Sequence, residues 1–365
     1  MAGAGPLSGV RVVEFAGLGP PPFVAMLLSD MGCEVLRIDR PGAGPSPNDI
    51  SCRGRASLQL DLKSPADIET ALRLIEKADV LIEGFRPGVM ERLGLGPEPA
   101  MNRNPRLIYG RMTGWGQDGP LARAAGHDIG YIGVAGALDG IGEAGGAPVP
   151  PLNLVGDFGG GALYLAMGIC AALVERGRSG LGQVIDAAIV DGTASLMANA
   201  LWLKADGITD PRRGHGTLGG AAPFYRCYQC ADDRWLAVGA IEPQFWALLM
   251  EGLGAPADLR ARQYDRAAWP ETTARLAAIF REHTAAHWLE RLEGTDACVS
   301  PVLDVEAAAS HPHLAARQTW VRPGGALQPA PAPRFSRTPG EIQGPPPAGG
   351  EGGLELLESW GVSRG

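Results

Sequence analysis

Three groups of residues in this 365-residue sequence could do chemistry. The first lies near the N-terminus. An apolar run ends at Phe15, glycines follow at 17 and 19, and acidic Asp39 closes the next apolar run. That spacing contains parts of a dinucleotide-binding fingerprint, with the acid about 20 residues on to hold a ribose. The third glycine position, however, is Pro22, and prolines 20–22 have no N–H groups to cradle a pyrophosphate. No nicotinamide cofactor is expected.

The second group is Cys227 and Cys230, a lone C-x-x-C with no second pair and no histidine at ligand spacing. A zinc site needs four such ligands. The pair is read as accidental and no metal is expected. The other four cysteines are scattered, without a disulfide framework.

The third group consists of carboxylates, one histidine and several cations. Asp157 stands directly before Phe-Gly-Gly-Gly and a strongly apolar stretch. It reads as a helix N-cap, and equally as a carboxylate beside free N–H groups that could stabilise developing negative charge. His127, in the loop Ala125-Gly-His-Asp, is either a solvated loop residue or a proton carrier titrating near neutrality. Glu242 follows an apolar run at 236–241, a place where most carboxylates are merely solvated. Arg40, Lys63 and Arg86 follow or closely trail apolar runs. Each alone is an ordinary surface charge. At the ends of parallel strands they could clamp phosphate.

The elements that must position these residues alternate. Strands are read at 10–15, 33–39, 58–62, 80–83, 107–112 and 184–188, with helices at 23–31, 68–77, 162–175 and from about Gly192. Such alternation implies an α/β fold with a Rossmann-like parallel sheet in a large domain. A smaller inserted α+β domain follows, with strands at 224–230 and 235–240 and helices at 244–253 and 270–292. The boundaries read are 1–186 and 321–365 for the large domain, 187–221 for linker helices and 222–320 for the small domain. A last short helix is read at 354–360.

Composition narrows the partners. The net charge is −8, which argues against nucleic acid and anionic membrane. The apolar stretch 162–174 is shorter than the roughly 20 residues of a membrane span. No signal peptide or peroxisomal address is visible at the ends, so a cytoplasmic location is expected. Fifty-three glycines and 31 prolines are spread between apolar runs, which signals tight turns and close helix packing rather than disorder.

Several stretches resemble the class III (formyl-CoA-transferase-like) CoA-transferase superfamily. They are Gly9-Val-Arg-Val-Val-Glu-Phe-Ala, Arg37-Ile-Asp-Arg-Pro-Gly42, Leu60-Asp-Leu-Lys63 and Phe85-Arg-Pro-Gly88. Within it, Gly114-Trp-Gly-Gln, Gly126-His-Asp-Ile, Pro151-Leu-Asn-Leu-Val-Gly-Asp157-Phe-Gly-Gly-Gly and Val238-Gly-Ala-Ile-Glu242-Pro-Gln-Phe look like its α-methylacyl-CoA racemase branch. The resemblance implies an interlocked homodimer acting on an acyl-CoA. Coenzyme A is then part of the substrate and no separate cofactor is needed.

It also implies roles. His127 and Asp157 would carry protons on opposite faces of the carbon beside the thioester. Glu242, contributed by the partner, would orient His127. Arg40, Lys63 and Arg86 would hold the phosphates, and Leu60, Asp61, Leu62, Gly126, Asp128, Ile129, Gly130 and Tyr131 would line the coenzyme and thioester. Arg37, Arg53 and Arg55 are weaker candidates. Gly130 and the Leu218-Gly-Gly-Ala-Ala-Pro223 stretch depart from the branch's pattern and bear on acyl specificity. The competing readings are a CoA-transferase using Asp157 as nucleophile and a non-catalytic acyl-CoA-binding protein.

Overall fold

A computed structural model describes residues 4–364. Six strands form one sheet: β1 (Arg11–Phe15), β2 (Glu34–Asp39), β3 (Ala56–Gln59), β4 (Val80–Glu83), β5 (Ile108–Thr113) and β6 (Gln183–Ala188). Their order is β3-β2-β1-β4-β5-β6, and every pairing is parallel. This is the doubly wound order of nucleotide-binding sheets, so the parallel α/β expectation holds. Alternate strand residues feed two cores, because successive side chains point to opposite faces. Val13, Phe15, Leu36 and Leu81 pack with Leu74 and Trp360 on one face; Val12, Val35, Val80 and Ile108 pack with Leu28 and Ile169 on the other.

Prolines 20–22, read from the sequence as a turn, are the first turn of the Pro20–Asp30 helix. Proline is tolerated there because those N–H groups have no intrahelical partner anyway. The consequence foreseen for a dinucleotide stands: this helix start offers pyrophosphate no N–H. Asp39, the would-be ribose acid, is buried and accepts from Arg37 Nε at 3.0 Å and Ser57 Oγ at 2.7 Å.

Arg37, Arg53 and Arg55, considered from sequence as phosphate ligands, are engaged inside the protein. Glu14, without exposed surface, accepts from Arg37 Nη1 at 3.1 Å and Arg55 Nη1 at 2.8 Å. Arg53 Nε donates to Asp30 at 3.1 Å. They tie the loop after β2 to β1 and the first helix, and no longer count as phosphate candidates.

The crossover from β5 to β6 is the long one, and it carries both His127 and Asp157. It contains the short helix Asp128–Val134, a wide π-helical turn Leu154–Ala162, and the helix Leu163–Ser179. The last two form one apolar run of 26 residues, longer than the 162–174 stretch apparent in the sequence. By length and composition it could cross a bilayer. So could many core helices, and Leu165, Ala166, Ile169 and Ala172 are buried against the sheet. Glycines permit that approach: a Cβ on Gly110 would lie 3.0 Å from Leu165, and one on Gly168 3.2 Å from Ile185.

The chain divides into two compact units. One comprises 1–135, 152–196 and 316–365, the other 136–151 and 197–315. The excursion 136–151 thus belongs with the second unit, although the sequence reading left it in the large domain. Residues 187–196 belong with the sheet, because the helix Ile189–Leu196 follows β6 directly.

The second unit has an antiparallel sheet of β7 (Tyr225–Gln229), β8 (Trp235–Gly239) and β9 (Val299–Pro301). The sequence reading had missed β9. The helix expected at 270–292 is two, Trp269–Phe280 and Ala285–Leu292, because the Thr284 side chain accepts the His287 N–H and starts a new helix. Cys227 is exposed and Cys230 buried, and among the described residues no metal-holding cluster of His, Cys, Asp or Glu exists.

Removing one arginine from Glu14 leaves a buried charge half-paired. Arg55→Ala should therefore cost about 3–5 kcal/mol of stability, read by urea unfolding. Retention of wild-type stability would show that the ion pair is dispensable.

Candidate active site

The loops after β1 and β4 meet where the strand order reverses, the place where parallel sheets open a ligand crevice. A Cβ on Gly84 would lie 2.6 Å from Pro21 Cγ, so only glycine lets the β4 loop touch the start of the Pro20–Asp30 helix. The β4 loop is held from below. Glu83 accepts the Phe85 N–H at 2.8 Å, and Arg111, its register partner on β5, donates to Glu83 at 2.9 Å and to Glu91 at 2.8 Å. These bonds fix the residue before Arg86, whose own side chain is exposed. Sequence reading missed Glu83 and Arg111. Their signal was a charge inside otherwise apolar strands.

His127 is the N-cap residue of the Asp128–Val134 helix, with extended backbone; its carbonyl accepts from the N–H groups of Gly130 and Tyr131 at 2.8 and 3.2 Å. The ring is exposed. Tyr131 anchors the loop leading to it. A Cβ on Gly114 would lie 2.0 Å from the tyrosine ring and one on Gly126 2.6 Å from it, while Trp115 meets it edge-on at 4.8 Å. Both glycines are therefore required by Tyr131 packing.

Asp157 lies within the π-helical turn, and the N-cap position belongs to Asn153. This corrects the N-cap reading. Nor are the nearby amides free: the Asp157 N–H donates to Asp128 Oδ2 at 2.7 Å, and the Phe158 N–H to the Asn153 carbonyl at 3.2 Å. They cannot serve as the enolate anchor expected from the sequence. The carboxyl itself is half-buried, and a Cβ on Gly19 would lie 3.6 Å from its Oδ2. Burial, and then the charge of Asp128, raise the Asp157 pKa from its ordinary value. A hydrogen bond with Asn153 and the charge of His127 pull the other way. The Tyr131 hydroxyl is raised by burial and by Asp157, and lowered by Arg86.

The structure thus gathers His127, Asp128, Tyr131, Asp157 and Arg86 into one electrostatic neighbourhood at the carboxyl edge of the sheet. Arg40 and Lys63 are exposed beyond β2 and β3 on the same edge. Of the two leucines that the resemblance implied would line the ligand, Leu60 has no exposed side-chain surface, whereas Leu62 packs against the core but stays partly exposed. Asp61 accepts the Lys63 N–H at 3.0 Å, and its own N–H donates to Asp67 at 2.8 Å, which shapes the turn into the Pro65–Lys77 helix. Asp128 is buried, its side chain turned to Asp157. Ile129 is half-exposed, and Gly130 has open space where a side chain would project. Glu242, in the second unit, is the exposed N-cap residue of the Pro243–Gly252 helix, where its charge raises the pKa of Tyr264 and Cys298 after burial does so.

The model of CoA-transferase family III matches residues 7–352. This chain belongs to that family. Alpha-methylacyl-CoA racemases of Mus musculus and Homo sapiens are 47% and 46% identical to it over 361 residues, 98% of this chain and 94% of theirs. The crystal structure of a CAIB/BAIF family protein from Brucella suis superposes with a TM-score of 0.83 at 27% identity, covering 98% of this chain and all of that one. The resemblance read from the motifs is therefore secured for this family III chain over nearly its whole length.

A raised carboxyl pKa is also a statement about stability. A group that binds its proton more tightly in the folded state favours folding below its unfolded pKa, and that contribution is lost as pH rises through the folded value. At pH 7 the ionised Asp157 therefore burdens the fold. Asp157→Asn should raise the urea midpoint at pH 7, with the gain vanishing toward about pH 4, where aspartates protonate. A lower midpoint at pH 7 would contradict the assigned environment.

Proposed function

We propose that this family III protein inverts the stereocentre next to the carbonyl of a 2-methylacyl-CoA, by two-base proton transfer through an enolate. The observation that carries this reading is the half-buried Asp157 carboxyl, its pKa raised chiefly by burial, in the electrostatic field of His127 at the sheet's ligand-binding edge. In one direction neutral His127 removes the α-proton and protonated Asp157 returns one to the opposite face. In the other, ionised Asp157 removes the proton and imidazolium His127 returns it. Each turnover leaves the pair with its protons exchanged, and solvent must reset it. The near-complete alignment with two proteins named alpha-methylacyl-CoA racemase supports the same reaction.

The pair needs no metal, flavin or nicotinamide to move a proton, and coenzyme A enters as part of the substrate. Arg40, Lys63 and Arg86 supply exposed positive charge for its phosphates at the same edge. A homodimer is part of the reading. Its support is the exposed apolar stripe Leu163, Met167 and Val174 on a long helix, which single soluble chains rarely leave open.

The second reading, acyl transfer, makes Asp157 a nucleophile that forms a mixed anhydride, for which it must be ionised. A transferase needs no second proton carrier beside that nucleophile, so His127 acting on Asp157 favours the racemase reading.

Incubated in D₂O with single-enantiomer 2-methylacyl-CoAs, the protein should place deuterium at C2 and scramble its configuration. His127→Ala and Asp157→Ala should each lower this rate by about 10²–10⁴-fold, the usual contribution of a general acid–base group. Acyl transfer to a free acid without C2 deuterium would replace the reading with transfer.

Arg86→Ala should chiefly raise KM, since a phosphate contact remote from C2 stabilises ground and transition states alike. A pure kcat loss would remove Arg86 from the phosphate clamp.

A further inference from the structure

The structure places a second carboxylate directly behind the first. Asp128 is 8% exposed. One of its oxygens, Oδ2, accepts the Asp157 N–H at 2.7 Å. The other, Oδ1, is buried with no hydrogen-bond partner. A buried carboxylate oxygen without a partner is costly, and such groups in folded proteins call for a functional reason. The approach is also built for: a Cβ on Gly156 would lie 2.4 Å from Asp128 Oδ2, so only glycine admits the carboxylate to the π-helical turn.

We propose that Asp128 is a positioning residue for Asp157: one oxygen fixes the turn that carries Asp157, and the other, buried and unpartnered, keeps a carboxylate behind it. This inference deepens the racemase reading and rests on it for its catalytic consequence. The groups facing Asp157 are His127, Asp128 and Tyr131, from the Asp128–Val134 helix and its N-cap, and Asn153 from its own turn. Of these, Asn153 and His127 favour the anion, so Asp128 is the charged neighbour that opposes it. Arg86 enters through Tyr131. Burial raises the Asp157 pKa most and persists without Asp128, but the second opposing contribution is then gone and Asp157 ionises more readily. That carboxylate still removes a proton in one direction but is less often loaded to return one in the other.

Asp128→Asn separates the two roles. The amide oxygen still accepts the Asp157 N–H while the charge is gone. Titration of the Asp157 carboxyl by ¹³C NMR, its resonance identified by its loss in Asp157→Asn, should move to lower pH in Asp128→Asn. In D₂O, kcat should fall about tenfold in both directions, because the equilibrium constant fixes their ratio, less than the about 10²–10⁴-fold expected for removing a general acid outright. KM should hardly change. If Asp128→Asn does not fold, Asp128→Ser is titrated instead, since its hydroxyl also accepts an N–H without charge. An Asp157 titration unmoved by loss of the Asp128 charge overturns the proposal. Should the titration shift while the wild type shows no C2 exchange, the positioning role stands and the racemase reading falls.

Discussion

The position of Asp157 depends on a contact between two stretches of backbone. The π-helical turn Leu154–Ala162 lies against the helix Ile189–Leu196 so closely that a Cβ on Gly192 would fall 1.8 Å from the Gly160 carbonyl oxygen. A Cβ on Gly160 would come within 2.7 Å of the Thr193 amide nitrogen, and one on Gly161 within 2.9 Å of Ile189. Interiors are too densely packed to absorb such overlaps. Any larger side chain here would push the turn off the helix that follows β6. The glycines after Asp157 are thus required by packing first. They set how deep its carboxyl sits, and depth is what raises its proton affinity.

The acidic groups of this protein divide by the company they keep. Glu14, Asp39 and Glu83 are buried in the strands and Asp30 at the end of the first helix, and each has an arginine against it. These pairs tie strands and loops together. Asp157 has been given the opposite surroundings: partial burial, another carboxylate behind it, and an asparagine and a histidine as its only moderating neighbours among the groups that shift it. A buried carboxyl beside a guanidinium, such as Glu14, Asp30 or Glu83, has its pKa raised by burial but is pulled back toward the anion by its partner. One beside a carboxylate can exchange a proton, which is what acid–base chemistry requires.

The arginines show the same division. Arg37, Arg53, Arg55 and Arg111 point inward to carboxylates, whereas Arg40 and Arg86 remain exposed at the carboxyl edge of the sheet. An acidic protein can therefore present local positive charge where a polyanionic ligand would approach. Arg111 contributes at one remove. By holding Glu83 it orders the Phe85 amide, and so the stem of the loop bearing Arg86.

Much of this was determined by the sequence alone. Strand–helix alternation, governed by local periodicity, implied the parallel sheet, and prolines 20–22 ruled against pyrophosphate whether they form a turn or a helix start. The motifs around His127 and Asp157 pointed to the family. What tertiary structure decided was every question of depth and partnership. Arg37 and Arg40 lie three residues apart and look alike in sequence, yet one, paired within β2, is buried on Glu14 and the other, just past the strand's end, is exposed. Leu60, read as a ligand contact, turned out to be core. Asp128 looked like part of a binding loop; only folding the β5–β6 crossover brings it to the amide of Asp157, 29 residues later. Periodicity and motif are local properties of a chain. The proton affinity of a carboxyl is set by neighbours that are distant in sequence, so it exists only once the chain has folded.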